Sequence, residues 1–199
     1  MNKPIWLRTD ELTEAVNALD AFVSNLMRVK DDPYYWKWAI IALHNSTQGF
    51  MVCALRGTNN LAILTPKAAK KWMEAYEQHK PYPGEELDDF LNLYKKIKGN
   101  YMMQYIHSQK FLPKGQQGGS IKRLNSFRND FIHFIPAGWS IEVSGFPRIC
   151  EDVIAIIDFL VSRSGNVRFY LRKDIQDKCL ELLIKSRELL KNIIWSYSA

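Results

Sequence analysis

Apolar residues recur at steps of three and four along most of this chain, and nowhere do they alternate with polar ones long enough to draw a strand. Leu12, Val16, Leu19, Val23 and Leu26 form one such stripe behind Thr9, Asp10 and Glu11. A hydroxyl and two acids suit the unpaired amides and positive end of a helix, so the spacing predicts a first helix from Thr9 to Met27 or Arg28. Asp32-Pro33 repeats the start signal, because proline loses nothing in a first turn whose N–H groups are unpaired anyway. The helix that follows is expected to reach Arg56 and stop at Gly57. Trp36, Trp38, Ile40, Leu43, Phe50, Met51 and Leu55 cover most of its circumference, the pattern of a central helix touched on several sides.

The same reasoning predicts a third helix opened by Thr65-Pro66 and a short fourth from about Glu85, carrying Leu87, Phe90, Leu91 and Tyr94 before Gly99. A helical piece is expected over 101–108, then a mobile loop over 111–120, where Pro113, Gly115, Gly118 and Gly119 gather. Ser120 is expected to cap a helix bearing Ile121, Leu124, Phe127 and Phe131 that ends before Pro136. Residues 139–143 suit a short extended piece, Pro147 opens a helix towards Gly165, and a long terminal helix starts near Lys173. None of the 8 prolines falls inside a predicted helix. The expected fold is therefore all-α, an up-and-down bundle of long helices with a few short accessory ones, forming a single domain over 1–199.

Composition narrows the class. An apolar share of 47% with 24% charged residues supplies a core and excludes disordered or fibrous chains. No apolar stretch approaches the about 20 residues of a bilayer span, so no membrane is expected. The first residues meet Arg8, Asp10 and Glu11 without the apolar segment of a secretory leader, which predicts a cytoplasmic protein. Cys53, Cys150 and Cys179 are odd in number and far apart, suiting buried thiols rather than disulfides or a paired-cysteine zinc site. Glu85, Glu86, Asp88 and Asp89 lack a histidine nearby and are expected to be the acid-rich first turns of an exposed helix. No metal and no cofactor is expected.

The net charge of +6 favours an anionic partner, and its placement matters more than its size. Lys110, Lys114, Lys122, Arg123 and Arg128 share a stretch with no acid before Asp130. Such a segment can follow a phosphate backbone, with Phe111 or Trp139 stacking on a base. A second basic group, Arg163, Arg168, Arg172 and Lys173, either extends that surface or solvates a helix junction. Tyr34, Tyr35, Trp36 and Trp38 suit core and interface better than a stacking platform. His44, next to Asn45 and Ser46, is either a hydrogen-bonded core histidine, the commoner case, or a ligand.

Within the basic stretch, Arg128-Asn129-Asp130-Phe131-Ile132-His133 resembles the signature of the HEPN family, the higher-eukaryote and prokaryote nucleotide-binding helical bundles. That signature is an arginine, four to six residues, and a histidine, usually with a polar residue directly after the arginine. The resemblance covers six residues strictly and the helical organisation loosely. It implies metal-independent RNA cleavage with Arg128, Asn129 and His133 as site residues, and the basic stretch independently puts Lys114, Lys122 and Arg123 on the RNA. It also implies a homodimer, because the family's cleft forms where two subunits meet, and a toxin or defence role beside an antitoxin or a nucleotidyltransferase-type partner. The same resemblance admits a catalytically silent dimer that binds RNA, nucleotide or a partner protein.

The chemistry fits the residue types. Attack by a ribose 2′-hydroxyl needs a proton-transfer group that titrates near neutrality and a fixed cation for the charge growing on phosphoryl oxygens. Histidine meets the first need and arginine, with its planar and permanently charged fork, the second. Five residues at 3.6 per turn place Arg128 and His133 about 140° apart on one helix, whereas Asn129 and His133 lie one turn apart and can touch. Asp130 would oppose a phosphate unless it faces away.

Overall fold

The computed structural model describes residues 4–133, 136, 138 and 140–198, and within them the chain is all-helical. Seven α-helices follow one another: α1 (Glu11–Leu26), α2 (Tyr35–Leu55), α3 (Pro66–Glu77), α4 (Phe90–Ile97), α5 (Gln117–Ile132), α6 (Phe146–Ser162) and α7 (Lys173–Ser198). Short 3-10 turns occupy Leu61–Ile63 and Asn100–Met102. No described helix is long and apolar enough to cross a membrane.

α2 is the hub, with α1, α4, α5 and α6 packed around it and α7 closing the space between α1 and α6. Small residues set the closest of these contacts. A Cβ on Gly49 would lie 2.8 Å from Ala15 Cβ, and Ser46 Oγ donates to the Ala15 carbonyl at 2.9 Å, so the α1 and α2 backbones nearly touch. Leu19, Phe22, Leu43, Phe50, Ile154 and Ile157 fill the centre and are fully buried. Trp36 is buried too, edge-on to Phe146 and donating its indole N–H to Tyr197 Oη at 3.0 Å.

Helix ends follow capping chemistry with some shifts from expectation. Asp10, rather than Thr9, caps α1 by accepting the Thr13 N–H at 2.7 Å, and Arg172 ties its other oxygen at 2.6 Å. Part of the second basic group is therefore spent on fixing a helix start. Gly57 follows α2 with φ +56°, the left-handed conformation expected of a helix stop. Thr65 caps α3 as expected, accepting the Ala68 N–H at 3.2 Å.

Four expectations are corrected. The fourth helix begins at Phe90, because residues 85–88 are drawn out as Thr65 N–H bonds the Glu86 carbonyl and Asp88 N–H the Ile63 carbonyl, both at 2.9 Å. Asp88 and Asp89 are thus not helical first-turn acids; Asp89 caps α4, and Asp88 is buried against Lys96 Nζ at 2.7 Å. Of the piece expected over 101–108 only Tyr101 and Met102 are helical, in the 3-10 turn Asn100–Met102. Ser120 lies inside α5 and donates to Asp152 at 2.6 Å, because α5 starts three residues earlier, at Gln117, and shortens the expected loop. Residue 139 lies outside the described residues, and 140–143 form no ladder.

Cys53, Cys150 and Cys179 are free and buried. Burial pushes the Cys53 and Cys179 thiols up to about 12 and raises Cys150 as well, so all three stay protonated.

A candidate cleft between α1, α2 and α5

Only one strip of α2 escapes the surrounding helices. Trp38, Ala42 and Asn45 follow each other at helical spacing along it, with Ile41 and Gln48 at its edge. Ala18, Ala21 and Asn25 of α1 form one wall and Arg128 and Ile132 of α5 the other, enclosing a cleft of about 420 Å³. The three alanines keep it open, since larger side chains there would fill it.

α5 delivers Arg128 to this cleft and His133 elsewhere. Arg128 is half-buried, and its Nη1 donates to Asn129 Oδ1 at 3.0 Å. Among the described residues no carboxylate lies within ion-pairing distance of it. His133 is the C-cap of α5, exposed, with its backbone N–H on the Asn129 carbonyl at 2.8 Å. Asn129 therefore meets the Arg128 side chain and the His133 backbone, and its side-chain oxygen is taken by the arginine. Asp130 is exposed and two residues from Arg128, about 200° round the helix, so it points away from the cleft.

A different histidine shares the cleft with Arg128. His44 is buried on α2, its Nε2 bonded to Asn125 Oδ1 at 3.1 Å and its ring stacked on Phe90 at 3.9 Å. The asparagine oxygen only accepts, so Nε2 carries the hydrogen. Burial first, and then the nearby Arg128 charge, push its pKa down to about 4 against the hydrogen bond that His44 donates to Asn125. His44 is accordingly neutral near pH 7 and unsuited to replace His133 as an acid.

The remaining predicted contacts divide. Lys114, Lys122 and Arg123 are exposed and unpaired by any described carboxylate, with Arg123 lying 5.8 Å from the Phe127 ring. Lys110 is tied to Asn100 Oδ1 at 2.6 Å. Phe111 is not available for base stacking: it is 4% exposed and packs on Tyr94 and Phe159, because the segment before α5 folds inward. Trp139 lies outside the described residues. Among the described residues no group of three histidine, cysteine or acidic side chains could hold a metal ion.

Trp38, Asn45 and Gln48 were not singled out by their place in the sequence as site residues. The available signal was their spacing on an otherwise apolar helix, which leaves a polar seam on the hub. Trp38 is 47% exposed and so is not one of the core members of the group expected in core and interface, because neither α1 nor α5 covers that strip. No family model matches the chain, and neither a curated protein nor a solved structure is found similar to it.

Proposed function

We propose that the chain is a HEPN-like, metal-independent endoribonuclease acting as a homodimer, of the toxin or defence kind. The observation that carries this is Arg128, a half-buried guanidinium without a carboxylate partner among the described residues, opening on a cleft beside neutral amides. Holding an unpaired cation out of bulk water is costly unless an anion completes it. A phosphate does so with the fork geometry that guanidinium matches best.

In the reaction, the ribose 2′-oxygen attacks the adjacent phosphorus and the bond to the 5′-oxygen breaks, leaving a 2′,3′-cyclic phosphate and a 5′-hydroxyl. Arg128 stabilises the charge that grows on the phosphoryl oxygens. His133, exposed at the end of α5, moves the proton. Within one chain the two residues leave the helix in different directions, so the partner subunit's His133 is the one that meets Arg128. Lys114, Lys122 and Arg123 would hold the flanking backbone.

The same divergence of Arg128 and His133 favours a second reading, a silent dimer that binds RNA, nucleotide or a partner protein. Incubation with labelled RNA in EDTA separates the two. Cleavage by the parent, lowered on the order of 10² to 10⁴-fold in Arg128→Ala and His133→Ala, is the expected result. Undiminished cleavage by His133→Ala rejects the proposed site, and salt-sensitive binding without cleavage selects the second reading.

A further inference from the structure

The floor of the cleft carries chemistry that phosphate binding does not need. Asn45 is exposed and Gln48 half-exposed, one helical turn apart on α2, and neither amide has a hydrogen-bond partner among the described residues. Trp38 lies two turns from Asn45 along the same strip, with 47% of its surface open and Lys37 Nζ 5.3 Å from its ring. Among the described residues that line the cleft the only formal charge is Arg128, with Lys37 outside the lining, beside Trp38. A track for a polynucleotide backbone would need several cations in series, whereas one cation, an indole face and two free amides suit a single nucleotide unit.

The amides also discriminate between bases. A primary amide presents one donor beside one acceptor, the complement of adenine's N7 acceptor and N6 amino donor. Guanine offers two acceptors on that edge and calls for two donors, whereas a primary amide sets one donor beside one acceptor. Cytosine and uracil do not present that purine edge. A volume of about 420 Å³ is within the range of small-ligand sites.

We propose that the cleft is a base-recognition subsite for adenine, in which Trp38 stacks on the ring, Asn45 and Gln48 read its N6 and N7 edge, and Arg128 holds the attached phosphate. This rests on the RNA reading above and concerns which base lies beside the phosphate, not which group breaks the bond.

Calorimetric titration of the full chain with AMP, GMP, CMP and UMP tests it directly. AMP is expected to bind about tenfold or more tightly than the others, and the Asn45→Ala/Gln48→Ala pair to bring all four within about twofold. Trp38→Ala should weaken all four together, by about fivefold or more, because stacking tolerates any base. Both substituted amides are at the surface, and circular dichroism checks that the variant folds. Cleavage of A-rich and U-rich RNA by the parent and the double variant keeps the two claims apart. AMP selectivity that vanishes in the double variant upholds the subsite even where no RNA is cut. Cleavage that depends on Arg128, with equal affinity for the four nucleotides or selectivity untouched by the double variant, overturns the subsite and leaves the nuclease standing. Absence of AMP binding at millimolar concentration overturns it as well.

Discussion

Two polar clusters meet α2, one at its C-terminal end and one midway along it, and they use similar residue types to opposite effect. At the end, Asn166 Nδ2 donates to the Ala54 carbonyl at 2.8 Å and the Met102 carbonyl at 2.9 Å, while its oxygen accepts from Ser108 at 2.6 Å. Gln104 Nε2 reaches the Leu55 carbonyl at 2.7 Å, although its Oε1 is buried without a partner. These bonds satisfy carbonyls that every helix end leaves open. Midway, Asn45, Gln48 and the outer N–H groups of Arg128 have no such partners among the described residues and face a cleft. A polar group matched inside the protein stabilises the fold, whereas one positioned and left unmatched is available to a ligand.

Stability measurements can break this contrast. The largest effect should come from Lys96→Met, which strands Asp88 as a buried, unpaired carboxylate; urea unfolding should show a loss of about 3–5 kcal/mol. That pair belongs to the matched side, since Lys96 Nζ also donates to the Leu64 carbonyl at 2.7 Å.

His44 tests the buried polar member of the cleft. Its pKa is about 4 when folded against 6.5 for the free side chain, so between those values the unfolded chain binds more protons. Stability is then complete above about pH 6.5 and falls towards pH 4, by on the order of 3 kcal/mol, and the slope should disappear in His44→Gln. Asp10 and Asp88, held below 3.8, lose their contributions at lower pH still, because protonation cancels their partners' attraction. The two windows are separable in unfolding curves collected across pH.

A smaller loss, about 2–3 kcal/mol, is expected for Asn166→Ala, which leaves the Ala54 and Met102 carbonyls and the Ser108 hydroxyl short of a partner. Smallest is Arg128→Ala, predicted to change stability by less than about 1 kcal/mol because no ion pair is lost. A large destabilisation there would mark Arg128 as structural and remove the contrast.

Much of the helix pattern was legible from local chemistry. The α1 stripe, Thr65-Pro66, Gly57 and the stretch from Lys173 each act within a turn or two, through burial, capping or backbone freedom. The misplaced start of α4 had another cause. Its acids resemble a helical first turn, but residues 85–88 are held extended by bonds to 63–65, more than twenty positions away. Ser120 was misassigned for a similar reason, because Asp152 on α6 gives its hydroxyl a partner that no local rule anticipates.

The candidate site divides along the same line. Arg128, Asn129 and His133 stand out as a string, and helical periodicity already separates the arginine from the histidine by about 140°. The company Arg128 keeps, His44 and Gln48 some eighty residues away, depends on how α5 lies against α2. Local sequence determined the all-helical class and the principal helix ends, since propensity, periodicity and caps are short-range. Only tertiary packing decided which face of α2 stayed bare and which polar groups were left without partners, because both depend on where distant helices come to rest.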